Sequence, residues 1–478
     1  MMKINRKLIS AFQRIGPRFL PFADAATKDL PLSRLLRLSL FQVSVGMAMV
    51  LLTGTLNRVM IVELGVPAWL VGLMVSIPVL IAPFRALIGF KSDTHKSVLG
   101  WRRVPYIWFG TMMQFGGFAI LPFALLVLTG NGHGSALWGE AGAALAFLLI
   151  GAGINTTQTA GLALANDLAS EETRPRVVAL LYVMLLLGMV VSALVFGSLL
   201  HDFTAKQLIQ IIQGVALLTV VLNVIAMWKQ EARNPALTSK DAETISFGEA
   251  WAQFSAAGRA KRLLIGVGLG SAAFSMQDIL LEPFGGQVFG LTVGQTTWLT
   301  ATMALGTLAG FAMSARRLGN GADPYRLASL GVLAGIMAFA AVIFAPVFHM
   351  VSLFQTGAFF IGFGGGLFSV GMLTAAMDLA SGSAGTMSGF ALGAWGGVQA
   401  TCAGIGVGIS GMLRDAVSDL AIHGNLGSAT TGPAAGYVTV YQIEIVLLFA
   451  TLAVIGPLVR GGKRSTRQPG FGLAQYPG

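Results

Sequence analysis

Twelve stretches of about 20 or more mostly apolar residues run through the chain, and no other feature limits its fold as strongly. They cover 38–62, 67–90, 105–129, 140–165, 177–200, 208–228, 263–289, 296–314, 327–347, 352–377, 387–413 and 437–459. A helix rising 1.5 Å per residue over such a length crosses the ~30 Å hydrocarbon core of a bilayer. In lipid every backbone N–H and C=O must find a partner inside the protein, so apolar runs of this length form helices. Charged residues are 11% of the 478, against a usual ~25%, too few to coat a soluble body of this size. A disordered chain, a coiled coil and a soluble multidomain enzyme are excluded. The expected class is an all-α polytopic membrane protein with twelve transmembrane helices.

The basic residues orient these spans. With the N-terminus inside, 27 of the 31 Lys and Arg fall in inner segments, and only Arg58, Lys206 and Arg414 fall outside. Arg85 lies within the second window. This asymmetry is the positive-inside pattern, and it places both termini in the cytoplasm. The net charge of +11 is therefore topology plus attraction to anionic lipid, and no nucleic-acid partner is expected. One cysteine, Cys402, excludes an internal disulfide framework. Leu8, Ile9, Phe12, Ile15 and Phe19 recur at helical spacing among Lys7, Arg14 and Arg18. Residues 1–36 are thus expected to be a cytoplasmic segment carrying an amphipathic surface helix, without a signal peptide.

The longest polar interruption, 229–262, follows the sixth window and divides the chain into halves at 37–228 and 263–459, with a tail at 460–478. A 6+6 division points to a pseudo-symmetric bundle with a cavity between the halves. The halves also share a string. Ala165-Asn166-Asp167-Leu168-Ala169-Ser170 closes window four, and Ala376-Met377-Asp378-Leu379-Ala380-Ser381 closes window ten. Between windows two and three stand Gly89, Asp93, Gly100, Arg102 and Arg103. This resembles the loop motif of the major facilitator superfamily, stretched by an insertion. Arg316-Arg317 is its degraded counterpart in the second half.

Longer strings sharpen that resemblance. They include Trp101-Arg102-Arg103-Val104-Pro105-Tyr106, Ala165-Asn166-Asp167-Leu168-Ala169 and Arg174-Pro175-Arg176. The most specific is Gln277-Asp278-Ile279-Leu280-Leu281-Glu282-Pro283-Phe284-Gly285-Gly286. Together they resemble the PucC family, the branch of that superfamily associated with light-harvesting assembly in purple photosynthetic bacteria. The resemblance implies a non-enzymatic assembly factor in the intracytoplasmic membrane. Its partners would be core-antenna (LH1) α/β polypeptides, the reaction centre–LH1 complex, pigment-synthesis enzymes, the protein-insertion machinery and membrane lipids. Service to the peripheral (LH2) antenna is the sibling reading. A proton-coupled secondary transporter of a small or amphipathic solute, pigment included, is the alternative from a different class.

Ionisable groups in a span cost about 2.5–3.5 kcal/mol each, so each needs a reason. Asp278 and Glu282, four apart, share a helix face toward the outer half of span seven. Arg58 lies toward the outer end of span one, and an ion pair with Asp278 or Glu282 is expected to act as an outer clamp or gate. Glu444 is a lone acid in span twelve, facing a cavity or a partner helix. The five histidines, at 95, 133, 201, 349 and 423, all fall in loops or span ends. A His-ligated pigment is therefore not expected, and no obligatory cofactor or metal is. Transient bacteriochlorophyll, carotenoid or lipid would meet the span amides Gln42, Asn57, Gln114, Asn155, Gln158, Gln355 and Gln399, whose other role is interhelical hydrogen bonding. The glycines at 393, 397, 404 and 408, and the run from 362 to 366, read as close helix packing rather than as a nucleotide loop.

Overall fold

The computed structural model describes residues 30–81, 88, 92, 101–128, 136–169, 173–231, 258–381, 388–423 and 434–459. The surface-helix segment before residue 30, most of the central loop, Arg85, Gly89, Asp93 and the C-terminal tail lie outside them.

Among the described residues every expected window holds a helix and there is no strand. In chain order they are α1 (Leu32–Glu63), α2 (Ala68–Ile81), α3 (Val104–Leu128), α4 (Ala136–Leu168), α5 (Arg174–Leu199) and α6 (Ala205–Met227). The second set is α7a (Gly258–Met276) with α7b (Leu281–Phe289), α8 (Val293–Gly319), α9 (Pro324–Phe344), α10 (Val351–Ser381), α11 (Ser388–Ile422) and α12 (Ala434–Ile455). Ten are long and apolar enough to cross a membrane, and the bent pair α7a/α7b makes an eleventh if it counts as one span. In the second window the described helix is α2, with Pro78 inside it, and residues 82–87 and 89–90 lie outside the described residues.

The packing repeats itself. In the first set α3 lies against α4 and α6, α1 against α5 and α6, and α2 against α4. In the second set α9 lies against α10 and α12, α7a against α11 and α12, and α8 against α10. Adding six to each helix number in the first list gives the second. The two sets meet where α2 packs on α11 and α5 on α8.

Small residues permit the closest of these contacts. Cβ atoms added at Gly310 or Gly366 would lie 2.6 Å from the Phe363 carbonyl and 2.8 Å from the Thr307 carbonyl. One added at Gly364 would lie 2.6 Å from the Gly331 carbonyl. The glycine run of α10 thus lets its backbone pass directly between α8 and α9, as its spacing implies. Loop chemistry fixes the helix starts: Thr292 and Gln295 form a reciprocal cap on α8, and Asp323 accepts from the Tyr325 amide at 2.8 Å to start α9.

Candidate functional site

Two irregular segments face each other at the join between the helix sets. The first lies in α1. Residues Val50–Thr55 and Val59–Glu63 are wound as π-helix. The cause is local competition for carbonyls. The Thr53 hydroxyl donates to the Met49 carbonyl at 2.9 Å, and the Asn57 amide donates to the Thr53 carbonyl. Both carbonyls would otherwise accept the α-helical backbone N–H, so the ladder widens.

The second is the break between α7a and α7b, where the axis bends by 44°. Pro283 explains it. Proline has no N–H to offer the Ile279 carbonyl, and its ring clashes with that group. Residues Gln277–Ile279 tighten into a 3₁₀ turn instead. The Asp278 carbonyl accepts from Asn57 Nδ2 at 3.2 Å, so one irregular segment satisfies the other.

Glu282, one turn past the break, is 4% exposed. Its Oε1 accepts from the Thr300 hydroxyl of α8 and rests against Gly54 of α1. The hydroxyls of Thr55 and Thr297 are 3.3 Å apart just beyond. Arg58 departs from expectation. Its ion pair is with Glu63 on its own helix, Nη1 to Oε1 at 2.9 Å, and not with Asp278 or Glu282. Its guanidinium lies on the bare backbone of Gly286, and Nη2 donates to the Leu291 carbonyl at 3.2 Å. The arginine reaches α7b through backbone, while its charge acts on Glu282 from nearby. The i,i+5 spacing of Arg58 and Glu63 falls outside the usual i,i+4 pairing and is favoured by the π-wound turn between them.

A second network ties the opposite end of the bundle from Arg102 and Arg103, and the sequence reading missed it. Arg414 had counted only as an outer charge. It pairs with Asp415 at 2.7 Å, donates to Gln287 Oε1 at 2.6 Å and lies 4.6 Å from the Tyr437 ring centroid. Tyr437 donates to the same Gln287 oxygen at 2.9 Å, and Asp415 accepts from the Trp69 amide of α2 at 2.7 Å. The available signal was the adjacent Arg-Asp pair near the end of an apolar span. These bonds join α2, α7b, α11 and α12.

At the end of the bundle that holds the loop motif, Arg102 and Arg103 meet Asp167 of the repeated string, at 3.6 and 3.1 Å, a pairing the sequence did not indicate. The helix cap comes from an unexpected residue. Glu231, just past α6, accepts from the amides of Arg102, Arg103 and Val104 at 2.6–3.1 Å and caps α3. A carboxylate suits the positive end of a helix. Glu231→Ala should lower stability by about 1 kcal/mol, read as a fall in the thermal midpoint of the detergent-solubilised protein. A midpoint equal to wild type would count against the cap. Asp378 lies on α10, at the position matching Asp167 in the repeat.

Most of the candidate amides make interhelical bonds. Gln158 Nε2 donates to Gln42 Oε1 at 3.4 Å, Asn155 Nδ2 to the Pro78 carbonyl at 3.0 Å and Gln114 Nε2 to Thr157 at 3.1 Å. Gln399 is half-buried on α11. Gln355 is corrected: it lies on the exposed face of α10 with Thr356 and Phe360, not in the bundle interior. Glu444 is fully buried on α12, within electrostatic reach of Asp278 on α7.

Comparison with known proteins now has a fold to refer to. A family described as "PUCC protein" matches residues 55–463. A Rhodobacter capsulatus protein named for its position in the puhA-bchM intergenic region is 55% identical, covering 100% of both chains. The Rhodobacter capsulatus protein named PucC is 54% identical, covering 94% of this chain and 97% of its own. At 28% identity, over 82% of this chain and 90% of the relative, stands a Rhodobacter capsulatus protein named as a 44.5 kDa bacteriochlorophyll synthase chain. Among solved structures, the nucleoside transporter NupG (D323A mutant) superposes with a TM-score of 0.68 at 15% identity, covering 88% of this chain and 99% of that one. That likeness establishes a transporter-like fold of the major facilitator type. The family match takes in the second π-wound stretch of α1, the α7 break and most of both helix sets, and the chain is a member of the PucC family.

Proposed function

We propose that the chain is a non-enzymatic assembly factor for the core light-harvesting (LH1) antenna, of the LhaA kind. It would help antenna α/β polypeptides insert or assemble with bacteriochlorophyll around the reaction centre. The observation that carries this reading is family membership. The puhA-bchM relative, at 55% identity, and the proteins named PucC, at 53–56%, are about equally similar, and the deletion described below separates the two branches. The bundle would span the membrane twelve times in two six-helix halves, at 37–228 and 263–459, with both termini cytoplasmic. Pigment, carotenoid or lipid would be held transiently through amides and packing. Of the histidines, His201 and His423 are exposed beside Asp202 and Asp419, and His349 sits in the turn before α10.

Deleting the gene in a phototrophically competent strain should strip the near-infrared band of the core antenna and spare the peripheral one. Loss of the peripheral band alone would move the assignment to LH2. Normal spectra would overturn the assembly reading. Pigment synthesis by the purified protein would overturn the non-enzymatic part, which the synthase-named relative puts to the test.

One second reading has its own support. The NupG-like fold and the buried acids at the α7 break favour a proton-coupled secondary transporter. Solute-dependent proton uptake by proteoliposomes, in a strain whose antenna is intact without the gene, would establish it.

A further inference from the structure

The inner side of the α7 break gathers buried oxygen atoms that lack protein partners. Glu444 is 0% exposed, and neither of its carboxyl oxygens is hydrogen-bonded. Tyr441, one turn back on α12, is fully buried with its hydroxyl unpartnered. Gln277, at the break itself, is 2% exposed. It donates Nε2 to Asp278 Oδ1 at 2.5 Å, and its Oε1 has no partner. α12 runs antiparallel past the break, with Tyr441 against Phe284 and Leu448 beside Phe274 at Gly335, which sets Glu444 level with Asp278, whose charge acts on it.

Among the described residues no positive side chain is in contact with this pair. α7 contributes Asp278 and Glu282, and α12 contributes Tyr437 and Tyr441. α11 reaches the region through Arg414 on Tyr437, and α1 through Arg58. Arg414 is paired with Asp415, and Arg58 with Glu63. From α9 comes Phe339, stacked on Tyr441 at 6.2 Å, and Phe284 of α7b stands edge-on to Tyr441 at 5.4 Å.

Apart from the tyrosine hydroxyl, the unpartnered atoms are all acceptors. Acceptors facing one another at membrane depth repel unless something positive lies between them. An anion or a sugar would need donors that this cluster lacks. Among the described residues no group of three His, Cys, Asp or Glu is arranged to hold a metal, which argues against a transition ion. Interrupted membrane helices expose carbonyl oxygens suited to Na⁺ or H⁺, and this cluster sits at such an interruption. Asp278 itself is half-buried.

We propose that Glu444, Asp278 and Gln277 Oε1 bind one small monovalent cation, Na⁺ or a proton, at the break of α7. The ion ties α12 to α7 and holds the break in a single arrangement. The site is independent of which antenna the protein serves.

The test uses the purified full-length protein in mild detergent. Its thermal midpoint is measured against NaCl, with choline chloride holding ionic strength constant, at two pH values. A ligand bound only by the folded state raises the midpoint as its concentration rises. A rise with sodium but not choline in wild type, absent in Glu444→Gln, identifies Na⁺. Identical responses to both salts, with a rise on acidification that Glu444→Gln abolishes, identify the proton. Asp278→Asn, at a half-buried position, should keep its fold and shift the sodium or proton response by roughly tenfold in concentration. Equal responses in wild type and both variants would overturn the proposal.

Discussion

Gly306→Leu is expected to abolish accumulation of the folded protein. The Cβ of any side chain at Gly306 would fall inside the contact radius of the Phe359 carbonyl on α10. The reciprocal position behaves alike, since a Cβ at Gly362 would meet the Met303 carbonyl on α8. The obstacle in each case is backbone, which cannot rotate away as a side-chain tip can. Relief requires α8 and α10 to separate. α10 cannot simply retreat, because Gly364 and Gly331 hold it equally close to α9. Overpacking a closed interface costs about 1–3 kcal/mol where neighbours can shift, and more where they cannot. A fluorescent fusion followed through size-exclusion chromatography should show aggregate in place of the monodisperse peak. A variant with wild-type yield and midpoint would mean that α8 and α10 are less tightly joined than described.

The sequence disclosed the parts of this fold that depend on composition and period. Twelve apolar windows, the division after window six and the paired Asp strings all follow from patterns that survive without coordinates. The glycine run from 362 to 366 pointed to close packing, and the helices it separates are those whose carbonyls it meets. The site was less legible. Asp278, Glu282, Arg58 and Glu444 stood out because charge is scarce in apolar spans. Their partners did not, because pairing depends on local winding. Arg58 and Glu63 are five apart, a spacing with no meaning on an ideal helix, and π-winding brings them together. Glu231 was invisible for another reason. It caps a helix that starts 127 residues earlier in the chain, and no periodicity links the two. Pro283 breaks α7, yet the apolar run around it reads as continuous in the sequence because hydropathy does not register a missing N–H.

Gly54→Val should separate two interpretations of the α1–α7 junction. Gly54 is the residue on which Glu282 Oε1 rests, and a Cβ there would also approach the Thr300 hydroxyl at 2.8 Å. A valine must therefore expel the carboxylate from its bond to Thr300 or push α1 from α7b. Glu282 has no space to be expelled into cheaply, being nearly fully buried with Oε2 already unpartnered. Removing a hydrogen bond from a buried carboxyl costs about 1–3 kcal/mol. If the junction is a static clamp, Gly54→Val lowers the thermal midpoint by several degrees, and core-antenna absorbance falls in proportion to the protein lost. If the junction must open and close, antenna absorbance falls further than protein level does, because the surviving molecules are locked in one arrangement. Asp278→Asn completes the comparison, since Asn57 bonds the backbone carbonyl of Asp278 and not its carboxyl. That bond outlasts the substitution, so the clamp predicts wild-type assembly and the gate predicts its loss. The bonds joining α1, α7 and α8 run through Asn57, Glu282, three threonines and the hold of Arg58 on the Leu291 carbonyl rather than through an ion pair between the helix sets. An arrangement held this way has no charge pair to release, and the expected outcome is the clamp: both variants should track protein abundance.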